Sequence, residues 1–523
     1  MRRSISVVVV LSVWLVSCAS VPTDYPRQAS TAFQDTGDTR IGRDIQPLLS
    51  THPDTSGFYL LSSGVDAFIA RMLLSMSADR SIDLQYYLFH DDISGRLLVT
   101  KLLDAADRGV RVRLLLDDID TAGQDKQLAI LDAHRNIEVR LFNPFASRDN
   151  RYAEYVTRFG EVTRRMHNKS LIVDNQVAIV GGRNIGDEYF ERNRDFAFGD
   201  LDLMAIGPVV PDVSNAFDLY WNHQLSVPIS AINPEGDEAS LHKLRAQLLI
   251  DAKQQRQSEY RAKVEQSNLL SELRHKNLNF YWGPGRVIYD HPEKLLTDEN
   301  DSTTHLLPAL KSAIREIRSE LVIFSPYFVP TESGVEMFEV LEQSGINVII
   351  LTNSLAANDV PAVHAGYQRY RVKLLQAGVE LYELMPIQNG TGLSGSSGFS
   401  GSSRASLHAK SMVIDRKRIF VGSFNLDPRS IHLNTEMGIL VESGKLASDL
   451  MDWLDTNLAQ MSYRLELVEA ISTDSDENQA DPQIRWIEQR DGQQIIYDSE
   501  PEASLWRRLQ VLFFSILPIE DQL

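Results

Sequence analysis

The sequence is almost free of cysteine, with Cys18 as the one cysteine among 523 residues. A single cysteine excludes an intramolecular disulfide, so the folded state does not depend on covalent cross-links. No carboxylate or cysteine–histidine cluster has the spacing of a metal site, so the sequence predicts neither a metal nor a cofactor. Hydrophobic residues make up 43% of the chain, which is enough to form a sizeable globular core.

Positive charge is also in short supply. The chain has 52 lysines and arginines against 71 aspartates and glutamates, a net charge of −19. Proteins that bind the phosphate backbone of nucleic acids usually carry a basic excess. The charge balance therefore disfavours nucleic acid as a partner.

The N-terminal apolar run is too short to cross a membrane. Residues 5–16 are apolar, follow Arg2 and Arg3, and end just before Ser17 and Cys18. A spanning helix needs about 20 apolar residues, whereas this arrangement is typical of a secretory signal. The segment resembles a bacterial lipoprotein signal, which predicts that Cys18 is lipidated and becomes the new N-terminus. The alternative is a short N-terminal anchor with an incidental cysteine.

The order strand, helix, strand occurs twice along the chain. Residues 81–89 and 110–118 have the patterns of strands, and residues 94–109 between them have helical spacing and end on a glycine. The same order returns at 320–330, 332–345 and 346–354. This recurrence predicts an internal duplication of an α/β unit with parallel strands.

The duplication divides the chain into two similar α/β domains with a connector between them. The segments on either side of these domains are polar and Pro/Thr-containing at the N-terminal end and partly apolar at the C-terminal end. The predicted divisions are a signal peptide at 1–18, a tether at 19–50, a first domain at 51–225, a charged helical connector at 226–285, a second domain at 286–465 and a tail at 466–523.

Two segments outside the repeated units carry open alternatives. The stretch 389–406 is rich in glycine and serine and predicts a flexible loop, either bordering the site or forming a surface insertion. The stretch 504–519 is strongly apolar but too short to span a bilayer. It suits an interfacial or docking helix, and a helix packed on the protein's own core is the alternative.

Two segments share the spacing H-x-K-x-x-x-x-D and lie in matching positions of the repeat. They occupy residues 161–188 and 402–429, and an asparagine follows each histidine by the same interval. The matched residues are His167, Lys169, Asp174 and Asn184 in the first segment, and His408, Lys410, Asp415 and Asn425 in the second. One such motif is common by chance, but two copies in a duplicated unit indicate a composite site.

These residue types suit phosphoryl transfer. The reaction needs a nucleophile, a proton donor for the leaving oxygen and positive charge on the phosphate oxygens. The two histidines and two lysines supply all three, and the amides of Asn184 and Asn425 can donate to the phosphate. Close histidines titrate as a pair, so we expect a bell-shaped pH profile.

The motif aspartates differ from the histidines in strand parity. Asp174 and Asp415 lie seven positions after their histidines, so they should point to the opposite face if the strand persists. Motif membership groups them with the catalytic set. Parity instead predicts a structural role at the turn into the next strand.

An attacking imidazole also needs an acidic partner on its other nitrogen to fix the tautomer. Glu436 stands where such a partner would follow His408. Asp202 is the analogous candidate for His167, with Asp200 as a rival.

The paired motifs resemble the phospholipase D superfamily, which works through a phosphohistidine without a metal. Stretches along nearly the whole mature chain are similar to bacterial cardiolipin synthases of the C type. They include "QYYLFHDD", "RRMHNKS", "VGGRNIGDEYF", "SPYFVPT", "GSFNLDPRS" and "LNTEMG". The resemblance implies two phospholipase D-like domains, each a mixed sheet flanked by helices, that form a pseudo-dimer within one chain.

The resemblance also implies roles and substrates. His167 would attack phosphorus, while His408 would protonate the departing head group and then activate an acceptor alcohol. Lys169, Lys410 and the two asparagines would hold the phosphate. The expected substrates are phosphatidylglycerol and a second phospholipid such as phosphatidylethanolamine, with cardiolipin as product. If water is the acceptor, the same chemistry is that of a phospholipase D, and a nuclease is disfavoured by the acidic chain.

The expected location follows from Cys18. A lipidated cysteine predicts a protein anchored in the bacterial cell envelope and facing the periplasm. Ala19 favours the outer membrane over the inner one. The C-terminal apolar stretch is a second candidate membrane contact, and a partner protein is left open.

Overall fold

The computed structural model describes residues 20–192, 197–255, 260–275, 277–299, 301–386, 405–468 and 483–523. Cys18 and most of the Gly/Ser-rich stretch lie outside these ranges. The described residues form two α/β domains, each with one large sheet.

The strands are numbered in chain order. In the first half and the connector they are β1 (Ser56–Leu61), β2 (Ser81–Tyr86), β3 (Arg111–Asp117), β4 (Ile137–Phe142), β5 (Ser170–Val173), β6 (Val177–Gly181), β7 (Ala197–Gly199), β8 (Asp202–Ile206), β9 (Ser226–Pro228) and β10 (Tyr281–Gly283). In the second half they are β11 (Gly285–Tyr289), β12 (Glu320–Phe324), β13 (Asn347–Asn353), β14 (Glu380–Leu384), β15 (Ala405–Leu407), β16 (Lys410–Ile414), β17 (Arg418–Gly422), β18 (Met437–Glu442), β19 (Ser462–Val468), β20 (Gln483–Arg490) and β21 (Gln493–Tyr497).

The helices are numbered in the same way. Those before the second domain are α1 (Arg40–Thr51), α2 (Gly64–Ser77), α3 (Ile93–Asp107), α4 (Asp125–Asp132), α5 (Arg151–Thr157), α6 (Phe159–Val162), α7 (Val209–Trp221), α8 (Ile229–Ile232), α9 (Glu238–Gln255), α10 (Tyr260–Glu265) and α11 (Asn268–Arg274). Those of the second domain and the tail are α12 (Leu307–Arg315), α13 (Thr331–Gln343), α14 (Pro361–Gln368), α15 (Arg371–Gln376), α16 (Gly444–Met461) and α17 (Leu505–Ser515).

The two sheets repeat one topology. The first runs β10-β1-β8-β6-β5-β2-β3-β4-β9, and the second runs β11-β18-β17-β16-β12-β13-β14-β19-β20-β21. In each, three strands are parallel, β2-β3-β4 and β12-β13-β14, and an antiparallel strand carrying the motif lies beside the first of them. The predicted duplication and the α/β class with mixed sheets are confirmed.

The inner faces of the two sheets share one core. Val180 and Leu203 of the first sheet and Val421 and Ile439 of the second are fully buried in a single apolar cluster. Fully burying one such side chain contributes about 1.5–3 kcal/mol. This core fixes the relative position of the two domains.

Apolar side chains that alternate along the strands are buried on both faces of each sheet. On β16, Val413 belongs to the shared core, whereas its neighbours Met412 and Ile414 belong to the cluster beneath the outer helices. Successive side chains of a strand point to opposite faces, so an all-apolar stretch is buried on both. The motif strands are therefore central and rigid.

Two short pairings also cross between the halves. Strand β7 pairs in parallel with β15, and Met166 forms an isolated parallel bridge with Thr435. Both crossings lie next to a motif histidine along the chain. The junction of the domains is therefore where the two motif segments meet.

The tether prediction for residues 19–50 is wrong for its described part. The backbone N–H of Ala32 donates to Asp218 Oδ2 at 2.8 Å, and helix α1 buries Ile41 and Ile45 against the first domain. A few apolar residues at helical spacing are enough to dock an otherwise polar segment. The polar composition of the segment hides these contacts.

The tail prediction for residues 466–523 is incomplete. The described part contains the helix expected at 504–519, found as α17, but also strands β20 and β21, which extend the second sheet beyond β19. The segment 226–285 contains helices α8 to α11, and its two ends form strands β9 and β10 at opposite edges of the first sheet. Within the described residues, no helix is long and apolar enough to cross a membrane.

Candidate active site

Each motif segment places its histidine and lysine in the same way. His167 and Lys169 come directly before β5, and His408 lies two residues before Lys410, the first residue of β16. The Lys169 ammonium donates to the His167 carbonyl oxygen at 2.7 Å, and the Lys410 ammonium donates to the His408 carbonyl oxygen at 2.6 Å. All four side chains are buried. The two halves thus present matching His/Lys pairs.

Each histidine backbone is held by the opposite half. The His167 N–H donates to the Thr435 carbonyl at 2.8 Å, and the His408 N–H donates to the Gly199 carbonyl at 2.8 Å. These bonds depend on the docking of one sheet on the other. The site is therefore complete only when both domains are in place.

The histidine-orienting carboxylates also cross between the halves. His167 Nδ1 lies 2.9 Å from both carboxylate oxygens of Glu436, and His408 Nδ1 lies 2.5 Å from Asp200 Oδ2. The prediction that Glu436 serves His408 is therefore wrong, because its partner is His167. Position along the chain predicts neither the contact of Glu436 with His167 nor that of Asp200 with His408.

Asp202, predicted as the partner of His167, contacts neither histidine. As the first residue of β8, it accepts a hydrogen bond from Arg71 Nη2 at 2.9 Å and lies 3.4 Å from Arg183 Nη1. The rival candidate, Asp200, lies two residues before β8, and its carboxylate contacts His408. Asp200 and Asp202 are only two residues apart in the sequence, but Asp202 forms a structural ion pair and Asp200 is the partner of a histidine.

Glycine leaves room for this arrangement. A Cβ on Gly182 would lie 2.3 Å from Asp200 Oδ1, which is too close for any other residue. On the other side of the site, Ser423 Oγ and Ser430 Oγ donate to the Glu436 carboxylate at 2.5 and 2.9 Å. Both carboxylates are thus fixed by their surroundings.

The motif aspartates lie outside the site. Asp174 accepts hydrogen bonds from the backbone N–H groups of Asp79, Arg80 and Ser81, at the start of β2. Asp415 binds the equivalent N–H groups before β12. Both have positive φ, 53° and 54°, as the turn after each motif strand requires. Grouping them with the catalytic residues is wrong, and the structural role predicted from parity is the one observed.

The two asparagines differ in their contacts. Asn184 Nδ2 donates to the Tyr189 hydroxyl at 2.8 Å, and its Oδ1 accepts from the Leu88 N–H at 3.2 Å. Asn425 is buried, and its Oδ1 has no hydrogen-bond partner among the described residues. Both follow the glycines that end β6 and β17. Their contact with a phosphate stays a prediction.

Three tyrosines that the sequence patterns did not single out surround the His/Lys pairs. The Tyr87 ring meets the His167 ring edge-on, with 4.8 Å between centroids, and Tyr189 meets His408 in the same way at 5.3 Å. The Lys410 ammonium lies 6.0 Å from the centre of the Tyr327 ring. Each tyrosine lies in a stretch that resembles the family. That resemblance is the sequence signal that could have identified these three residues.

Burial and like charge perturb the titration of the site. Burial, followed by the charges of Lys169 and Lys410, lowers the pKa of both His167 and His408 well below the usual range. Burial lowers the pKa of Lys169 to about 7 and that of Lys410 to about 8. Both lysines act on both histidines, so the four groups form one electrostatic unit.

The carboxylates shift in the opposite direction. Burial raises the pKa of Glu436 to about 7, and it also raises the pKa of Asp200. A desolvated carboxylate next to an imidazole strengthens the hydrogen bond that fixes the tautomer. The lowered pKa values favour neutral imidazoles before substrate binds, and the contacts of both Nδ1 atoms with carboxylates fit the Nδ1–H tautomer.

A possible metal-binding group lies elsewhere. Among the residues that the structure describes, His90, Asp92 and Glu188 have potential ligand atoms within 4.8 Å of one another. His90 Nδ1 is 3.1 Å from Glu188 Oε1, and Asp92 accepts from the Asp187 N–H. The group includes neither of the His/Lys pairs, although Glu188 is the last residue of the first motif segment.

Comparison with known families agrees with this geometry. The model for the family "Cardiolipin synthase, PLD-like domain" matches residues 73–205 and 310–458, which contain both His/Lys pairs. The chain therefore belongs to this family and is an enzyme of the phospholipase D superfamily.

Individual relatives narrow the class to a transferase similar to cardiolipin synthases. The chain is 44% identical to cardiolipin synthase C of Escherichia coli (strain K12) over 92% of its length and 99% of the relative's. It is 25% identical to cardiolipin synthase A of Pseudomonas fluorescens over 77% of its length and 68% of the relative's.

A solved structure shares the fold. The phosphatidylserine synthase of Haemophilus influenzae superposes with a TM-score of 0.51 at 13% identity, covering 80% of this chain and 91% of that one. At this identity the likeness concerns the arrangement of the two α/β domains alone.

Proposed function

We propose that this enzyme is a phosphatidyltransferase that makes cardiolipin from phosphatidylglycerol and a second phospholipid. The observation that carries the proposal is the pair of buried His/Lys units at the domain junction, each histidine held by a carboxylate of the opposite half. The similarity to cardiolipin synthase C supports the choice of lipid.

In the first step His167 attacks the phosphorus of the donor lipid. Because Glu436 holds Nδ1–H, Nε2 is the free nucleophile. The new P–Nε2 bond replaces the P–O bond to the head-group alcohol, which leaves with a proton from His408 Nε2. The products are phosphatidyl-His167 and, from phosphatidylglycerol, free glycerol.

His408 takes up its proton from solvent when the substrate binds. Before substrate binds, burial and then the charges of the two lysines lower the pKa of this imidazole and favour its neutral form. A phosphodiester anion placed between Lys169 and Lys410 offsets their charge and raises the pKa of His408. Asp200 then stabilises the imidazolium through Nδ1.

In the second step His408 acts as a base. It takes the proton from a glycerol hydroxyl of another phosphatidylglycerol, and that oxygen attacks phosphorus as the P–Nε2 bond to His167 breaks. The product is cardiolipin, and His167 and His408 return to their starting states. With water as acceptor the product is phosphatidic acid, the outcome of a phospholipase D.

The buried walls favour the phosphorane-like transition state. The rings of Tyr87 and Tyr327 lie beside the buried ammonium groups of Lys169 and Lys410, and charge stabilisation is stronger in such a desolvated site. The −19 charge of the chain makes a nucleic-acid phosphodiester a poor substrate for the same machinery.

A lipid analysis tests the proposal. Purified enzyme is incubated with phosphatidylglycerol, with and without phosphatidylethanolamine, and the products are separated. Cardiolipin is the expected product. Phosphatidic acid without cardiolipin would assign a hydrolase instead, and turnover of DNA alone would overturn the choice of lipid.

We also propose that the enzyme is a lipoprotein of the bacterial cell envelope. The support is the signal-like segment before Cys18, a residue outside the described ranges. The proposal places the enzyme at the periplasmic face, with the outer membrane favoured. Metabolic labelling with a fatty acid should mark the unaltered chain and not Cys18→Ser, and membrane fractionation identifies the membrane.

A further inference from the structure

Helix α17 presents an apolar face to solvent. Its exposed side chains are large and closely spaced. They are Leu505 (80% exposed), Trp506 (68%), Leu509 (56%), Leu512 (61%), Phe513 (58%) and, just after the helix, Ile516 (76%). Contiguous exposed apolar surface of this kind marks an interaction site rather than an ordinary surface.

The opposite face of the helix is docked on the protein. Val511 is buried in a cluster with Leu355 and Ala365, the latter on α14. The Ser504 hydroxyl caps the helix by accepting from the Arg507 N–H at 3.2 Å. The helix is therefore held in place, and its outward face is not needed for its own packing.

The charge on this helix suits an anionic surface. Between Leu505 and Ser515 the charged residues are Arg507 and Arg508, with no acidic residue, in a chain whose net charge is −19. Arginines beside exposed Trp, Leu and Phe are typical of helices that lie in a membrane interface. With 11 residues the helix is too short to span a bilayer.

The helix is connected to the catalytic site by a short chain of contacts. Arg507 donates to the carbonyl oxygens of Leu355 and Asn358. The next residue, Asp359, accepts from the Tyr327 hydroxyl at 2.8 Å, and the Tyr327 ring faces Lys410. Helix α17 is therefore anchored close to the second half of the site.

A smaller exposed apolar group lies on helices of the first domain. Tyr152 and Val156 on α5 are each 86% exposed, and Phe159 on α6 is 47% exposed. Arg429 links this region to the C-terminal segment, because it donates to the Thr163 carbonyl after α6 and to the Leu523 carbonyl. Exposed apolar surface is thus present in both halves of the chain, and Arg429 connects the first-half group to the C-terminal segment.

We propose that the exposed face of α17, together with Tyr152, Val156 and Phe159, seats the enzyme on an anionic lipid surface. We call these residues the docking face. The proposal rests on the proposed function, since a phospholipid substrate lies in such a surface, and it adds the part of the enzyme that meets the membrane. Docking there brings the site to the head groups instead of requiring a lipid to leave the bilayer.

Tryptophan quenching tests the docking directly. The full-length enzyme is mixed with phosphatidylglycerol vesicles containing lipids brominated on their acyl chains, and its fluorescence is compared with that of Trp506→Phe. Quenching that is lost in Trp506→Phe places Trp506 in the bilayer, whatever anchors the N-terminus. Equal quenching of the two proteins would overturn the proposal.

A matched pair of double variants tests the consequence. Leu509→Glu/Leu512→Glu should lower turnover on phosphatidylglycerol vesicles by at least about 10-fold and leave turnover of monomeric short-chain phosphatidylglycerol unchanged. Leu249→Glu/Ile250→Glu on α9, where the side chains are 54% and 50% exposed, should change neither. Equal vesicle turnover in both variants would contradict the proposal.

Light scattering distinguishes a lipid surface from a second copy of the chain. If the face binds a second copy, Leu509→Glu/Leu512→Glu changes the mass measured without vesicles, and Trp506 is not quenched by brominated lipids. That result would overturn the lipid surface and assign the face to self-association. If the proposed chemistry is wrong, neither lipid is turned over, but the Trp506 quenching still decides whether the face docks.

Discussion

The two halves of the site have matching His/Lys pairs, but the carboxylates that contact the two histidines are held differently. Glu436 meets His167 through both oxygens and receives two serine hydroxyls, whereas Asp200 meets His408 through one oxygen and receives the Leu201 N–H. A nucleophile must keep one tautomer, while an acid–base group must exchange its proton. The more firmly held carboxylate belongs to the histidine proposed as nucleophile.

Alanine at either histidine should have the largest effect. His167→Ala removes the nucleophile and His408→Ala removes the acid and base, so each should lower turnover by at least about 1,000-fold. The double variant should be little worse than either single one, because the two act as a unit. Full activity in either single variant would contradict the two-histidine mechanism.

Replacing each carboxylate that contacts a histidine of the opposite half should lower kcat by different amounts. Glu436→Gln should lower kcat by at least about 100-fold, because an amide can hold the wrong imidazole tautomer. Asp200→Asn should lower it less, because the substrate itself supports the His408 imidazolium. Steady-state kinetics on the two purified variants measures the difference, and the opposite ranking would reverse the assignment of nucleophile and acid.

Asp202→Asn separates structure from chemistry. This change leaves the buried guanidinium of Arg71 without its carboxylate, which should cost about 3 kcal/mol in free energy of unfolding. In urea denaturation Asp202→Asn should therefore unfold earlier than Asp200→Asn. A kcat loss in Asp202→Asn without lost stability would return that residue to the site.

The pH profile should be bell-shaped on kcat/KM. As pH falls through about 7, Glu436 takes up a proton and no longer holds the His167 tautomer. As pH rises through about 7 and then 8, Lys169 and Lys410 in turn lose the charges that bind the phosphate. We expect roughly 10-fold losses on each side for each unit beyond these values. In Glu436→Gln the acidic limb should move or disappear; an unchanged limb would assign it to another group.

The motif aspartates should show the smallest effects. Asp174→Asn weakens three hydrogen bonds, one buried and two partly buried, and should cost about 1–3 kcal/mol of stability. Asp415→Asn should cost less, because its surroundings are more exposed. Thermal unfolding measures both. Loss of turnover with unchanged stability would show that parity misplaced these residues.

The sequence predicted what is repeated and local. The duplicated order of elements, the His/Lys pairs and the outward parity of Asp174 and Asp415 each depend on neighbours in the chain or on the period of a strand. The exchange of Glu436 and Asp200 between the halves was not predictable in this way, because it is set by how the two sheets dock. Strands β20 and β21 were missed for a related reason, since their partner β19 lies across a segment with no strand pattern.

Trapping the covalent intermediate tests the roles of the two histidines most directly. The enzyme is mixed with phosphatidylglycerol labelled in its phosphate, quenched at alkaline pH, where phosphohistidine survives, and digested for mass spectrometry. We expect the phosphatidyl group on the peptide that contains His167. A phosphatidyl group on His408, or no protein-bound phosphate during turnover, would contradict the mechanism.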